Sequence, residues 1–421
     1  MPKFVISGGK KLIGEIQISG SKNAILPILA ASILTKKQVT LYNVPDIEDV
    51  KTTIKILRFL GCKVSKKCDK IVISSANINK YQIPKDLMKK CRSSIILVGA
   101  LIGRFKKAEF YAPGGCNIGS RPIDLHIEAF KKLGINVEKD FNDENKITCT
   151  AENIIGTEIN LKFPSVGATE NIILSSVYAK GITTIKNAAK EPEIKDLANF
   201  LNKMGARIYG AGKSTIKIIG IKDLKEASYR IMPDRIETGS YLCFAAITHG
   251  FIKLNNVNPK DLMAVLYKLK EIGCKIIINN NNIILKAPKK LNSTNIETGV
   301  YPCFPTDMEP LLTSLLTIAN GKSIIKENIF ENRFEFCKEL EKMGANISVD
   351  NKEQIAIIHG VNNLKNSNVI SKDLRGGASL IEAALSANGV SIIDNAENVL
   401  RGYENIDKKL KSLGADIKLL D

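Results

Sequence analysis

One cysteine of nine sits in a setting that changes its chemistry. In Pro113-Gly-Gly-Cys116-Asn-Ile-Gly-Ser-Arg121-Pro122 three glycines and a proline surround a thiol, a composition that specifies a loop. A helix is expected to begin near Pro122, because proline suits the first helical position. Backbone amides at such a start, with Arg121 beside them, form an anion site, and the same positive potential tunes a neighbouring thiol. A proton donor or nucleophile beside an anionic substrate is the chemistry this allows. The ordinary alternative is a buried cysteine in a surface turn.

Other segments offer complementary groups. Gly20-Ser-Lys22-Asn23-Ala puts a cation and an amide ahead of an apolar helix, suited to an anionic, hydroxylated ligand. Ser165-Val166-Gly167-Ala-Thr169 offers hydroxyl and backbone donors at another helix entry, suited to phosphates. Pro233-Asp234-Arg235-Ile-Glu237 and Pro305-Thr-Asp307-Met-Glu309 place carboxylates at helix starts. There a general base is one reading and an ordinary cap the other. Glu331-Asn-Arg333, Asp373-Leu-Arg375 and Arg401-Gly-Tyr403-Glu404 add turn arginines in corresponding places. If equivalent turns converge, these arginines gather where phosphate and carboxylate bind.

The elements that position these residues come from an internal repeat. The phrase apolar-x-x-apolar-Gly-x-x-apolar recurs with its glycine at 61, 134, 205, 273, 344 and 414, at intervals of 73, 71, 68, 71 and 70 residues. Six units thus account for nearly the whole chain. Each glycine ends a helix by reaching positive φ, and a strand is expected to follow. Before each helix lies a β-rich stretch ending in a turn, such as Val39–Val44, Thr183–Asn187, Ile252–Val257 and Ser391–Asn395. A second helix per unit is expected over Ala24–Leu34, Ser94–Leu101, Ala168–Val177, Gly239–Ile247, Met308–Ile318 and Gly377–Ser386.

These units predict an α/β (α+β) architecture of two halves with three units each, since about 70 residues is too long for a solenoid repeat. One expected domain joins residues 1–20 to 232–421, the N-terminal strand of residues 3 to 18 crossing to the last units. The other spans 21–231 and carries the Cys116 loop, and Ser228–Arg235 is the expected hinge.

Composition narrows the rest. The start lacks a signal segment, and the longest apolar run, Ala24–Leu34, is too short to span a bilayer. A soluble, cytoplasmic protein is expected. No Cys-x-x-Cys pair or zinc-spaced cluster is present, which argues against a disulfide scaffold and a structural zinc. Three histidines make a histidine-centred mechanism a poor fit. The net charge of +18 fits nucleic acid, anionic lipid or small anionic substrates equally, but no basic tail or aromatic-interleaved stripe accompanies it.

The motifs together resemble the enolpyruvyl transferase family, specifically its UDP-N-acetylglucosamine carboxyvinyl transferases, over nearly the whole chain. The matching segments, in the family's order, are Ser-Lys22-Asn23-Ala, Cys91-Arg92-Ser-Ser, Pro-Gly-Gly-Cys116 through Arg121-Pro122-Ile123-Asp124-Leu125-His and Ser165-Val-Gly-Ala-Thr. They continue with Glu191-Pro-Glu193-Ile, Pro-Asp234-Arg235-Ile-Glu, Phe-Pro-Thr-Asp307-Met, Phe-Glu-Asn-Arg333-Phe, Asp373-Leu-Arg375 and Arg401-Gly-Tyr-Glu. The resemblance implies two inside-out α/β domains, each of three repeats around buried helices, with the active site between them. It implies transfer of the enolpyruvyl group of phosphoenolpyruvate to the 3′-hydroxyl of UDP-N-acetylglucosamine, the first committed step of peptidoglycan synthesis. No cofactor or metal, no nucleic acid and no membrane partner is implied.

By the same resemblance Cys116 is the general acid and Asp307 the base or hydroxyl-positioning group. Lys22, Arg121 and Arg401 hold phosphate and carboxylate, with Arg92 assisting. Asn23, the Arg121–Leu125 segment (Pro122, Ile123, Asp124), Ser165, Val166, Gly167, Asp307 and Ile329 contact the nucleotide sugar. Alkylation of Cys116 by fosfomycin is a further implication. One position departs from the family pattern: Phe163 stands where a nucleotide-contacting lysine is common, with Lys162 adjacent. The alternatives are 5-enolpyruvylshikimate-3-phosphate synthase and, in another class, a basic nucleic-acid-binding repeat protein.

Overall fold

The computed structural model describes residues 1–114, 118–119, 122–140, 143 and 146–420. Cys116 and Arg121 lie outside the described residues. The chain divides into two compact units, one holding residues 1–19 and 233–420, the other the described residues of 20–114 and 122–232.

Each unit is built around three helices with polar ends and apolar bodies. In the second unit these are Lys22–Ala31, Ile96–Phe105 and Val166–Ser176. In the first they are Arg235–Ile247, Glu309–Leu316 and Leu374–Ser386. All thirteen residues of Arg235–Ile247 and all eight of Glu309–Leu316 are buried. A helix that is apolar all round belongs inside, and these form the centre of the two cores. Several of their small polar residues donate to nearby carbonyls, as Ser240 Oγ does to Ile236 at 2.8 Å and Ser379 Oγ to Gly376 at 2.7 Å, so burial leaves these hydroxyls satisfied.

Sheets form the outer layer. Five have four strands and one has three among the described residues. Ile182–Lys186 shows the pattern, with Thr183 and Ile185 buried inward and the intervening residues toward solvent. Within a sheet, two strands form an antiparallel hairpin beside a central strand, and a short parallel strand completes the set, as with Glu158–Asn160 beside Ile182–Lys186. A buried helix links that parallel pair, whereas in two sheets the parallel partner comes from a distant part of the chain, Ala227–Arg230 beside Gln38–Tyr42 and Ile13–Gln17 beside Phe251–Asn255. In the three-stranded sheet the parallel strand shrinks to a single bridge, Gln82 to Glu109.

The repeat glycines behave as expected. Gly61, Gly134, Gly205, Gly273, Gly344 and Gly414 have φ of 109°, 80°, 101°, 105°, 86° and 97°. An edge strand begins two residues after each. A second device was not anticipated. Asn43, Asn187, Asn256 and Asn395, just past central strands, also have positive φ, a conformation asparagine tolerates better than most residues. The side-chain amides of three of them donate to the carbonyls of Ile231, Leu161 and Ile18 at 2.8 to 2.9 Å. Each of those carbonyls lies one residue beyond the parallel strand, which fixes where the crossover leaves the sheet.

Three expectations need correction. Residues 3 to 18 form two strands, Lys3–Ser7 and Ile13–Gln17, which pair with different sheets. The helix after the Cys116 loop begins at Asp124 rather than near Pro122. Within Ser228–Arg235, residues 228 to 230 are not hinge but strand, pairing in parallel with Gln38–Tyr42, and the chain leaves this unit after Met232.

Candidate active site

In the first unit the starts of two central helices are joined by one arginine. Asp307 lies in the 3-10 turn Thr306–Met308, ahead of Glu309–Leu316. Arg375 is the second residue of Leu374–Ser386 and donates from Nη2 to Asp307 Oδ2 at 3.1 Å. Its guanidinium also lies 5.3 Å from the centre of the Tyr403 ring. The Arg375 side chain is only 4% exposed. Burial opposes its charge, but Asp307, Tyr403 and Asp234 together more than offset this, and its pKa is raised.

Arg333 holds the turn from below. It is 2% exposed and donates to the Thr306 carbonyl at 2.9 Å. Three carboxylates surround it, from Asp307 at 3.7 Å, Glu309 at 3.9 Å and Asp373 at 3.9 Å. Glu309 is wholly buried, and desolvation pushes its carboxyl up to about 8 against the opposing pull of Arg333. The Glu309 side chain is therefore mainly protonated near neutrality, which limits the negative charge placed around Arg333.

The carboxylates at the three helix starts have different roles. Asp234 Oδ1 accepts from the amides of Ile236 and Glu237 at 2.8 and 2.9 Å, and Asp373 Oδ1 from those of Arg375 and Gly376 at 2.9 and 3.0 Å. Both are ordinary caps. Asp307 instead faces the guanidinium groups of Arg375 and Arg333, with its side chain 30% exposed.

Ile329 is held beside this cluster through the buried Glu327. Glu327 Oε1 accepts from the Ile329 and Phe330 amides at 2.8 and 3.1 Å. Arg401 follows the short helix Glu397–Leu400 and is half-buried. At the third helix start, Glu237 accepts from the Ser19 amide at 2.8 Å and from Lys409 Nζ at 2.5 Å. Burial raises the Glu237 pKa even though Lys409 opposes it.

The second unit gathers its own set. Ser21 caps Lys22–Ala31 by accepting from the Ala24 amide at 3.3 Å. Lys22 is only 13% exposed and pairs with the buried Asp49 at 3.1 Å. Asn23 is half-buried beside it. Arg92 donates to the Pro113 carbonyl at 3.3 Å, at the root of the Cys116 loop.

Two residues without assigned roles organise the rest of this half. Asn171, buried in Val166–Ser176, donates to the Ile95 carbonyl at 3.1 Å and to His126 Nδ1 at 2.8 Å, while its carbonyl accepts from the Gly99 amide at 2.8 Å. His126 is buried, and desolvation, with Arg92 next in importance, lowers its pKa to about 4. The ring is thus neutral at pH 7, and acceptance at Nδ1 puts its proton on Nε2. A Cβ on Gly167 would lie 3.2 Å from the His126 ring. This contact brings Ile123, Asp124 and Leu125, on the His126 side, to Ser165, Val166 and Gly167. Ser165 itself is an N-cap, accepting from the Ala168 amide at 3.3 Å. Pro122 and Asp124 are exposed.

Phe163 is 44% exposed, and Lys162 turns to Glu128 at 2.8 Å. The signal for Asn171 was available in the sequence, as an amide embedded in an apolar helix. Asp49 gave none, being one of several acidic residues near the start of Glu48–Leu60. Among the described residues no group of His, Cys, Asp and Glu is arranged to hold a metal ion, and no helix is long and apolar enough to cross a membrane.

Comparison with known proteins agrees with this architecture. The family described as EPSP synthase (3-phosphoshikimate 1-carboxyvinyltransferase) matches residues 6–410. The chain is 48% identical over 418 residues to UDP-N-acetylglucosamine 1-carboxyvinyltransferase 2 of Caldanaerobacter subterraneus subsp. tengcongensis, covering 99% of each. It is 45% identical over 419 residues to UDP-N-acetylglucosamine 1-carboxyvinyltransferase of Clostridium botulinum, again covering 99% of each. The crystal structure of the enolpyruvyl transferase NikO from Streptomyces tendae superimposes with a TM-score of 0.89 at 23% identity, covering 99% of this chain and 98% of that one. EPSP synthase from Acinetobacter baumannii gives 0.76 at 18% identity, covering both chains fully. These two structures share the fold. The chain belongs to the enolpyruvyl transferase family, among its UDP-N-acetylglucosamine 1-carboxyvinyltransferases.

Proposed function

We propose that this transferase moves the enolpyruvyl group of phosphoenolpyruvate to the 3′-hydroxyl of UDP-N-acetylglucosamine, with release of phosphate. The observation that carries the reading is the Asp307 carboxylate, held between the Arg375 and Arg333 guanidinium groups, in a chain 48% identical to a relative named for that activity. The EPSP synthase reading is less well supported, because the full-length relatives at 43 to 48% identity carry the nucleotide-sugar name.

The reaction is an addition followed by an elimination. Cys116 protonates the methylene carbon of phosphoenolpyruvate while the sugar oxygen bonds to the adjacent carbon and passes its proton to Asp307. The tetrahedral adduct then gives a proton from the new methyl group back to the Cys116 thiolate, the carbon–carbon double bond re-forms, and phosphate leaves with the proton held by Asp307. Lys22, Arg121 and Arg401, assisted by Arg92, bind the phosphate and carboxylate and stabilise charge as it develops. Asn23, Pro122 to Leu125, Ser165 to Gly167 and Ile329 bind the nucleotide sugar. The substrates are small molecules, and the expected location is the cytoplasm.

The test is phosphate release from phosphoenolpyruvate, with UDP-N-acetylglucosamine or shikimate 3-phosphate as acceptor, for the native chain and C116A. Release with the nucleotide sugar alone, lost in C116A, is expected. Release with shikimate 3-phosphate alone would reassign the acceptor.

A further inference from the structure

The six edge strands that follow the repeat glycines are equivalent by pseudo-symmetry, so a difference among them reflects selection on one edge. Exposed edges are normally blunted by charge. All six carry a charge, but five contain no run of three apolar residues: Lys63-Val-Ser-Lys-Lys67, Asn136-Val-Glu-Lys-Asp140, Arg207-Ile-Tyr209, Asn346-Ile-Ser-Val-Asp350 and Asp416-Ile-Lys-Leu-Leu420. The sixth is Lys275-Ile-Ile-Ile-Asn279.

This strand pairs on one side with Asn282–Lys286, and no strand among the described residues pairs with its other side. Ile277 is 56% and Ile278 41% exposed. Register places Ile277 opposite Ile284, and Phe251 opposite Ile13 two strands further in, all on the outer face of one sheet. Ile13 and Phe251 are themselves exposed. An open backbone edge thus adjoins a face on which Ile277, Ile284, Phe251 and Ile13 alternate with Lys275, Lys286, Lys253 and Glu15.

We infer that a second copy of this chain docks on Lys275–Asn279, adding its own equivalent strand antiparallel about a two-fold axis at Ile277. In that register Ile277 meets Ile277, Ile276 meets Ile278, and Lys275 meets Asn279. No like charges oppose one another, and the contact is self-complementary, as an isologous interface requires. Self-pairing of other edges fails this condition. It would set Lys63 against Lys67, Glu138 against Glu138, or Lys418 against Lys418. The Arg207–Tyr209 edge has only three residues, and the outer face of Asn346–Asp350 offers Asn346, Ser348 and Asp350, with Ile347 already buried. Only Lys275–Asn279 combines a compatible register with exposed apolar surface. The contact is small, so a weak dimer is expected, with Kd in the range of about 1 to 100 µM.

Sedimentation velocity of the full chain over that concentration range tests the assignment. The native chain is expected to show a concentration-dependent dimer, and I277K to remain a monomer with unchanged kcat, since Ile277 belongs to neither cluster described above. I182K is the control, because Ile182 is 45% exposed on the outer face of a sheet in the other unit. It should dimerise like the native chain. A native chain that stays monomeric throughout overturns the inference. So does a dimer that persists in I277K, or one lost equally in I182K.

Discussion

Arg375 Nη2 lies 3.1 Å from Asp307 Oδ2, so the start of one buried helix fixes the carboxylate at the start of its neighbour. A lysine at 375 keeps the charge but cannot both reach Asp307 and stack over Tyr403 as a planar guanidinium does. R375K should therefore lower kcat/KM by about tenfold or more. D307N should lower kcat by roughly 10²- to 10⁴-fold, the usual contribution of a general base. The melting temperature should fall in D307N, which leaves the buried Arg375 without its carboxylate, and steady-state kinetics at a temperature where both variants stay folded decides the matter. A D307N protein with near-native kcat would remove Asp307 from the mechanism.

Gly167 separates binding from stability. It lies in the first turn of Val166–Ser176, and only the His126 ring stands where a Cβ would go. In G167A helix propensity favours the folded state by up to about 1 kcal/mol. His126, anchored by Asn171, must shift, and the Ile123–Leu125 segment shifts with it. Stability should be unchanged or improved while KM for UDP-N-acetylglucosamine rises severalfold. A KM unchanged in G167A would show that this contact does not shape the nucleotide-sugar site.

The repeat was legible because it is written in residue types with few substitutes. Glycine at a left-handed helix end and a helix with no polar face each admit little variation, so Gly61 and its five counterparts located both the outer helices and the edge strands. The site was legible only as motifs. Asp234, Asp307 and Asp373 look alike in sequence, and which of them faces arginine depends on contacts across 26 and 68 residues, from Arg333 and Arg375. Arg333 and Arg375 were visible as turn arginines, yet their near-complete burial follows from packing that no local pattern records. Asp49 and His126 act through neighbours from other segments and carry no signal of their own.

Buried ionisable groups give stability a two-sided pH dependence. Glu309 has a folded pKa of about 8, above its ordinary value of 4.5, so the native state holds a proton that the unfolded chain releases. Its contribution is complete below about pH 4.5 and is lost as pH rises toward 8. His126 has a folded pKa of about 4, below its ordinary 6.5, so its contribution is present above about pH 6.5 and is lost as pH falls through 4. E309Q should flatten the decline between pH 5 and 8 by on the order of 2 kcal/mol. H126Q should flatten the acid limb. Urea unfolding across pH measures both, and parallel native and E309Q curves would show that Glu309 is ionised in the folded protein.

Two cap glycines separate backbone strain from crowding. At Gly205, φ is 101° and a Cβ would meet nothing within 4 Å, so G205A should cost about 1 to 2 kcal/mol from the left-handed conformation alone. At Gly61, φ is 109° and a Cβ would lie 2.7 Å from the Asn77 carbonyl oxygen, a backbone atom that cannot swing aside. G61A should carry the same conformational cost plus roughly 1 to 3 kcal/mol of steric displacement. Chemical denaturation of the two variants should therefore rank G61A as the less stable. Equal losses would mean that the loop around Asn77 yields to the methyl group, leaving φ as the whole requirement for glycine at both positions.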